Sequence, residues 1–221
     1  MKKQISIALI LAVILPLFVF GMVRAEEGTG SSSGSGSTSS NETENETEAD
    51  QTARQQRIEK RKAELKIRLS SLEQAKIKTK CKNSQGLVMS LSGRIKGLQT
   101  SRNQVYTNLA SRLTKLSGQL KDQGLDTATL DTQIAELKTK VDTFKTDLTA
   151  YKEAASDLAD MDCVNDPTGF KASLEAARST REKVAKDAMD IKTYVNDTIK
   201  PTLVRLHDQL EAQENTSGEN Q

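Results

Sequence analysis

The chain has 221 residues, of which 35% are hydrophobic, 3% aromatic and 28% charged, and its formal net charge is +2. With no tryptophan and few bulky side chains, this composition argues against a wide globular core. It favours a thin helical bundle that is held together by a narrow apolar seam. The length is sufficient for one helical domain and its tails.

Residues 1–25 have the pattern of an export signal. Lys2 and Lys3 precede an uncharged, mostly apolar run from Ile5 to Val23, and Ala25 ends a cleavage-type sequence. The run exceeds the roughly 7–15 residues of a typical signal core and reaches the lower length of a membrane span, so an uncleaved anchor is the alternative. We therefore expect an exported protein that is periplasmic, extracellular or anchored to the outer face of the cytoplasmic membrane.

The folded part is predicted to follow a linker. Residues 26–50 contain a Gly/Ser/Thr stretch with seven acidic residues and no basic one, a composition that predicts a disordered tether. Helical periodicity is found in residues 51–213. Residues 214–221 have no apolar side chain and are predicted to form a disordered tail.

Two helices and the turn between them are visible in the spacing of apolar residues. From Val88 to Leu120 apolar residues recur at steps of three and four, and Lys121 to Gly124 is typical of a turn. From Leu130 to Leu158 the same rhythm continues for nine consecutive positions, which predicts a coiled-coil seam. Asp166 and Pro167 are typical of the start of a third helix.

These patterns predict an all-α fold, an elongated antiparallel three-helix coiled-coil bundle. The third helix contains Pro201, where we expect a kink. Residues 51–80 show a weaker helical pattern that can continue through residues 81–87, so we expect one long first helix of about 100 Å. A break near Asn83 and Gly86 is the alternative.

The two cysteines provide a test of this architecture. If the first turn centres near residues 123–124, antiparallel pairing places Cys81 level with about residue 166, close to Cys163. In an exported chain this predicts a disulfide, which would contribute on the order of 4 kcal/mol by constraining the unfolded chain. The alternative is two free thiols for metal binding or catalysis, which no nearby histidine or third cysteine supports.

Arg102 and Arg181 occupy seam positions where apolar side chains are expected. Asp147 is predicted to lie level with both, so we expect a polar layer in which Asp147 pairs with one or both arginines and fixes the register. The alternative is that the arginine stems lie along the seam while the charged ends reach water. On the same face, Leu137 and Phe144 are predicted to be buried against the first helix.

Charge is distributed unevenly. Residues 51–121 hold 17 basic and three acidic residues, whereas residues 122–221 hold 12 basic and 20 acidic ones. One interpretation is that the basic first helix packs beside the two acidic helices and that their charges help to specify the pairing. The other is that the basic helix binds a polyanion. The candidate polyanion-binding residues are Arg54, Arg57, Lys60, Arg61, Lys62, Lys66, Arg68, Lys76, Lys78, Lys80 and Lys82.

A search for a catalytic or metal-binding set of residues gives no candidate. The single histidine, His207, has the setting of a solvated helix-face residue, and no cysteine pair has ligand spacing. The serines and threonines do not lie in a nucleophile turn, and the carboxylates are spread along helix faces. We therefore expect no enzyme activity, no cofactor, no metal and no small-molecule substrate.

The favoured function is that of a structural spacer or protein-interaction module with protein partners in the cell envelope. One alternative is binding of an anionic polymer or a lipid membrane surface through residues 54–82, which salt-dependent binding would indicate. The other is a holdase-like envelope chaperone, which exposed apolar grooves in an oligomer would indicate. The oligomeric state is left open by the sequence.

Overall fold

The computed structural model describes residues 47–218, and all the regular secondary structure in this range is helical. The predicted signal or anchor, residues 1–25, lies outside the described residues, as does linker segment 26–46. Within residues 47–218 no helix combines the length and the apolar content that are needed to span a bilayer. The elements are α1 (Glu48–Leu65), α2 (Ser71–Asp122), α3 (Ala128–Ala159), α4 (Pro167–Tyr194), a π-helical turn (Val195–Ile199) and α5 (Lys200–Gly218).

The helical region is slightly longer than the predicted range 51–213. α1 begins at Glu48, and α5 continues to Gly218, so the tail that is predicted to be disordered from residue 214 is helical for its first residues. Among the described side chains the last buried one is that of Leu210. A helix that is already nucleated gains one hydrogen bond for each residue added, which allows polar residues to extend it past the core.

The first helix is interrupted, which corrects the predicted single long helix from residue 51. α1 ends where Lys66 adopts a left-handed conformation with φ of 47°. α2 then starts with a capping box, in which the Ser70 side chain accepts the Glu73 N–H and the Glu73 carboxylate accepts the Ser70 N–H. Such a cap is worth about 1 kcal/mol, enough to outweigh the weak apolar rhythm of residues 51–80.

α2 is continuous over its 52 residues, so the alternative break at residues 83–86 does not form. At 1.5 Å per residue the helix is about 78 Å long. Gly124, with φ of 83°, turns the chain so that α3 returns antiparallel to α2. The Gln99 amide of α2 thus reaches the Thr149 hydroxyl of α3 at 3.5 Å.

α4 starts as predicted, with Asp166 as N-cap and Pro167 as the first residue. The Asp166 carboxylate accepts a backbone N–H of the first turn at 2.8 Å. The expected disturbance at Pro201 takes the form of the π-helical turn, in which the Lys200 N–H donates to the carbonyl of Val195 five residues earlier. Because proline lacks an N–H and its ring crowds the carbonyl four residues back, a widened turn relieves the clash.

The buried side chains form two clusters. The main core follows α3, which packs on α2 along one side and on α4 along another. Leu137 and Phe144 are 0% and 2% exposed in this core, which confirms their predicted burial. The second cluster, which we call the disulfide-end cluster, lies at the C-terminal end of α3. It consists of Ile58, Cys81, Leu158, Met161, Cys163 and Phe170.

Candidate functional site

The disulfide joins α2 to the connection between α3 and α4. Cys81 and Cys163 are bonded with their Cα atoms 5.7 Å apart, which confirms the predicted pair. Both residues are buried, and Ile58 of α1 and Phe170 of α4 pack in the same cluster. The bond therefore braces the end of the α2–α3 hairpin next to the start of α4, the helix on which α1 packs.

A buried carboxylate anchors α1 beside α3. Asp157 is 2% exposed and accepts hydrogen bonds from Arg57 Nε at 3.0 Å, from Arg57 Nη2 at 2.6 Å and from Arg61 Nη1 at 2.6 Å. These hydrogen bonds to Asp157 raise the pKa of Arg57 above its ordinary value. A buried carboxylate without such partners carries a large desolvation penalty, so Asp157 favours the docked position of α1. Sequence reasoning missed Asp157. Its only signal in the sequence is an acidic side chain next to the seam residue Leu158.

Two further ion pairs surround this anchor. Arg54 lies 3.4 Å from Asp160, and Lys62 lies 3.4 Å from Asp166. α1 therefore sets its basic face against acidic residues at the end of α3 and the start of α4. This arrangement agrees with the interpretation in which the basic and acidic parts of the chain pair with each other, and it engages Arg54, Arg57, Arg61 and Lys62 within the fold.

The other candidate polyanion-binding residues lie around the helix break and the first turns of α2. Lys60 is exposed and lies 3.9 Å from Glu64 of the same helix. The Lys82 side chain is outside the described part of the structure. The remaining candidates are exposed to solvent: Lys66, Arg68, Lys76, Lys78 and Lys80.

Around Asp147 the structure shows a carboxylate neighbour that the predicted polar layer did not include. Asp147 of α3 lies against Asp187 of α4, and the pKa of Asp187 is raised by burial and then by that neighbouring carboxylate. Arg181 is exposed, and Arg102 lies beside the hydroxyl of Tyr106. The position of Arg181 fits the alternative interpretation, in which the charged end reaches water.

An apolar stripe on α2 is left partly uncovered by the other residues that the structure describes. Leu87, Leu91 and Leu98 are 75%, 41% and 41% exposed, although they lie on the helix face that is buried further along at Leu109 and Leu116. The sequence predicted Leu91 and Leu98 as seam residues, and their spacing is that of a seam. Their exposure depends instead on how the helices pack around α2, a property that periodicity does not report.

His207 lies on the surface of α5. Its ring nitrogens are 3.8 Å from Asp208 and 3.7 Å from Glu211, and both acids are exposed. Among the described residues these three side chains have ligand atoms within 4.8 Å of one another. The two acids face solvent, whereas the His207 side chain is 22% exposed.

Comparisons with protein-family models, with curated proteins and with solved structures give no match to this chain. Function is therefore inferred from the chain's own residues, above all from the braced helices and from the surface of α2.

Proposed function

We propose that this chain is an exported, non-enzymatic helical protein that acts as a rigid spacer and protein-interaction module in the cell envelope. The observation that carries this proposal is the uncovered stripe of Leu87, Leu91 and Leu98 on a helix of 52 residues. Apolar seam positions that stay exposed beside a well-packed core are typical of a surface that binds another molecule.

The spacer role is supported by the shape and bracing of the helices. The buried positions of α3 from Leu130 to Leu158 have the steps of three and four of a coiled coil, with α2 and α4 packed against it. We propose that α2, α3 and α4 together form the antiparallel three-helix coiled coil. The disulfide braces α2 a few residues before the stripe, and the Asp157 anchor holds α1 to α3 at the same end of the bundle.

Export is supported by the disulfide, because such bonds persist in oxidising compartments and are rare in the cytosol. We propose that residues 1–25 direct or anchor the chain and that residues 26–46 act as a tether. A flexible chain of that length has a root-mean-square reach of roughly 23–27 Å, enough to hold the helices clear of a membrane surface.

The proposal is tested by photo-crosslinking in the producing cells. A photoreactive side chain placed at Leu91 or at Leu98 is expected to capture the same discrete protein, whereas placement at Met189, which is 60% exposed on α4, is expected to capture none. Mass spectrometry then identifies the captured protein. The same products from Met189, or no product from either stripe position, would contradict the proposed role of α2.

A second candidate function is binding of an anionic polymer, which is favoured by the exposed bases around the helix break. Lys66, Arg68, Lys76, Lys78 and Lys80 all face solvent. Binding of polyphosphate that weakens steeply with added salt, and that is lost when these residues are replaced by glutamine, would support this function. Equal binding by the glutamine variant would exclude this surface as the site.

A further inference from the structure

The uncovered stripe has the width of a helix–helix seam. At 3.6 residues per turn, Leu87, Leu91 and Leu98 fall within an arc of about 40° around α2. A helix that packs on a broad core presents an apolar face of about 100° or more, and a coiled-coil seam is narrower, so the stripe has the width of a seam. Further along the same face, Leu109 and Leu116 pack in one core cluster with Leu203 of α5. The face is therefore of a kind that another helix covers.

The charge of α2 indicates which charged residues the covering helix carries. Between Glu73 and Asp122 the sequence contains ten basic residues and no acidic one. Arg94 interrupts the stripe three residues after Leu91 and four before Leu98, it is exposed, and it makes no salt bridge within residues 47–218. A basic side chain in a seam favours a partner with a carboxylate opposite to it.

The same charge argues against a second copy of this chain. Pairing the stripe with itself would bring together two helices that are basic between Glu73 and Asp122, and like charges across an interface oppose association. An acidic helix would instead meet the complementary charge of Arg94 within the stripe.

We infer that Leu87, Leu91, Arg94 and Leu98 form a docking surface for an amphipathic helix of a partner protein that carries acidic residues beside its apolar seam. This inference rests on the proposed function and specifies the chemistry of the partner. The leucines supply the apolar contact, and Arg94 selects for acidic over basic helices.

The test uses the full chain and two designed, fluorescently labelled peptides. Both peptides have leucine at seam positions, one with glutamate and the other with lysine at the flanking positions, and binding is followed by fluorescence anisotropy. The glutamate peptide is expected to bind, and the lysine peptide to bind at least about tenfold more weakly.

Matched variants separate the stripe from the rest of α2. The double change Leu91→Ser with Leu98→Ser is expected to weaken binding of the glutamate peptide by about tenfold or more. Met89→Ser, at a residue that is 58% exposed on another face of α2, should change binding by less than about twofold. Arg94→Glu should reverse the preference between the two peptides. Circular dichroism and the unfolding midpoint check that each variant is folded.

Several results would overturn the inference. Equal binding of both peptides would show that charge does not select the partner. Binding that the leucine changes do not affect would show that the stripe is not the docking surface. Leucine-dependent binding to phosphatidylglycerol vesicles without peptide binding would assign the stripe to a membrane. Self-association that the double variant abolishes in sedimentation would assign it to a second copy.

The two proposals fail in different ways. If crosslinking from Leu91 and Leu98 captures a partner without an acidic helix, the interaction function stands and the inference about partner chemistry is wrong. If the glutamate peptide binds as expected while crosslinking captures nothing in cells, the chemistry of the surface stands and the proposed function is wrong.

Discussion

The ring of Tyr106 meets the ring of Phe144 edge-on, with centroids 5.0 Å apart and planes inclined at 89°. The two residues join α2 to α3 and are 6% and 2% exposed. Edge-to-face contact adds to the free energy gained from burying both rings, because the positive edge of one ring meets the negative face of the other. Arg102 lies beside the Tyr106 hydroxyl, where its charge acts to lower the pKa of a phenol that burial raises overall.

Phe144→Ala is expected to lower the free energy of unfolding by about 3–5 kcal/mol, because it removes a buried ring from a packed site. Urea unfolding followed by circular dichroism measures the change. Met189→Ala, at a residue that is 60% exposed, is the control and should change stability by less than about 0.5 kcal/mol. Similar losses in the two variants would show that this face is not the core.

The burial of α3 could be predicted because its seam is a local and strongly periodic property. Leu137 and Phe144 belong to nine consecutive seam positions, and burying a stripe of this kind requires only that some helix lies against it. The pairing of Cys81 with Cys163 followed from one further fact, the position of the first turn. Neither prediction required knowledge of how each helix is rotated about its axis.

The features that could not be predicted depend on rotation and on distant partners. The sequence predicts only the height of Asp147 and Arg181 along the bundle axis. The rotation of α4 about its own axis brings Asp187 to Asp147 and leaves Arg181 exposed. The docking of α1 depends on Asp157, an acid about a hundred positions away. The break before α2 was readable, since Ser70 and Glu73 have the spacing of a capping box.

The Asp157 anchor predicts an asymmetric response to substitution. Replacing Arg57 and Arg61 together by methionine leaves a buried carboxylate without its arginine partners and is expected to destabilise the protein by about 3–5 kcal/mol. Asp157→Asn should cost less, about 1–3 kcal/mol, because Arg57 is 38% exposed and turns to water. Chemical denaturation measures both values.

Adding Asp157→Leu to the two arginine changes provides the control for this anchor. The triple variant should be more stable than the double variant, since it no longer buries an unpaired charge. Additive losses across the three substitutions would mean that Asp157 and the arginines do not act as one unit.

Asp187 is expected to destabilise the fold near neutral pH and to do so less on mild acidification. Its pKa is raised by burial and by Asp147, so the folded state binds the proton more tightly than the unfolded state does. This group therefore destabilises the fold above its folded pKa, and the penalty disappears as pH falls through that value towards about 3.9. Asp187→Asn should be more stable than the wild type near pH 7 by less than about 1 kcal/mol, and the difference should vanish near pH 4.

A neighbouring acid separates this effect from the general loss of charge. Asp190 is paired with Lys186 at 2.6 Å, so Asp190→Asn should be neutral or slightly destabilising at pH 7. Thermal melts of both variants across the pH range make the comparison. A stabilisation by Asp187→Asn that is the same at every pH would rule out the carboxylate pair as its cause.

Lys66 is a position where a substitution is expected to stabilise the protein. It holds a left-handed φ of 47° at the end of α1, a conformation that glycine adopts without the steric penalty of a Cβ atom. Lys66→Gly is expected to raise stability by about 0.5–1 kcal/mol, whereas Lys66→Ala should not. If glycine instead destabilises the protein in urea unfolding, α1 does not end in this turn.

The disulfide predicts a local weakness at one end of the bundle. Because its cysteines are 82 positions apart, Cys81→Ala with Cys163→Ala is expected to lower stability by about 4 kcal/mol through the entropy of the unfolded chain. The effect should not be uniform, since Ile58 of α1 packs in the same cluster as both cysteines, whereas Leu137 lies in the main core. Hydrogen exchange should therefore show α1 losing protection first, while the middle of α3 keeps it. Equal loss of protection along α1 and α3 would mean that the disulfide changes only the global stability and not the local stability of α1. Full protection of α1 would mean that the ion pairs to Asp157 hold this helix in place without the crosslink.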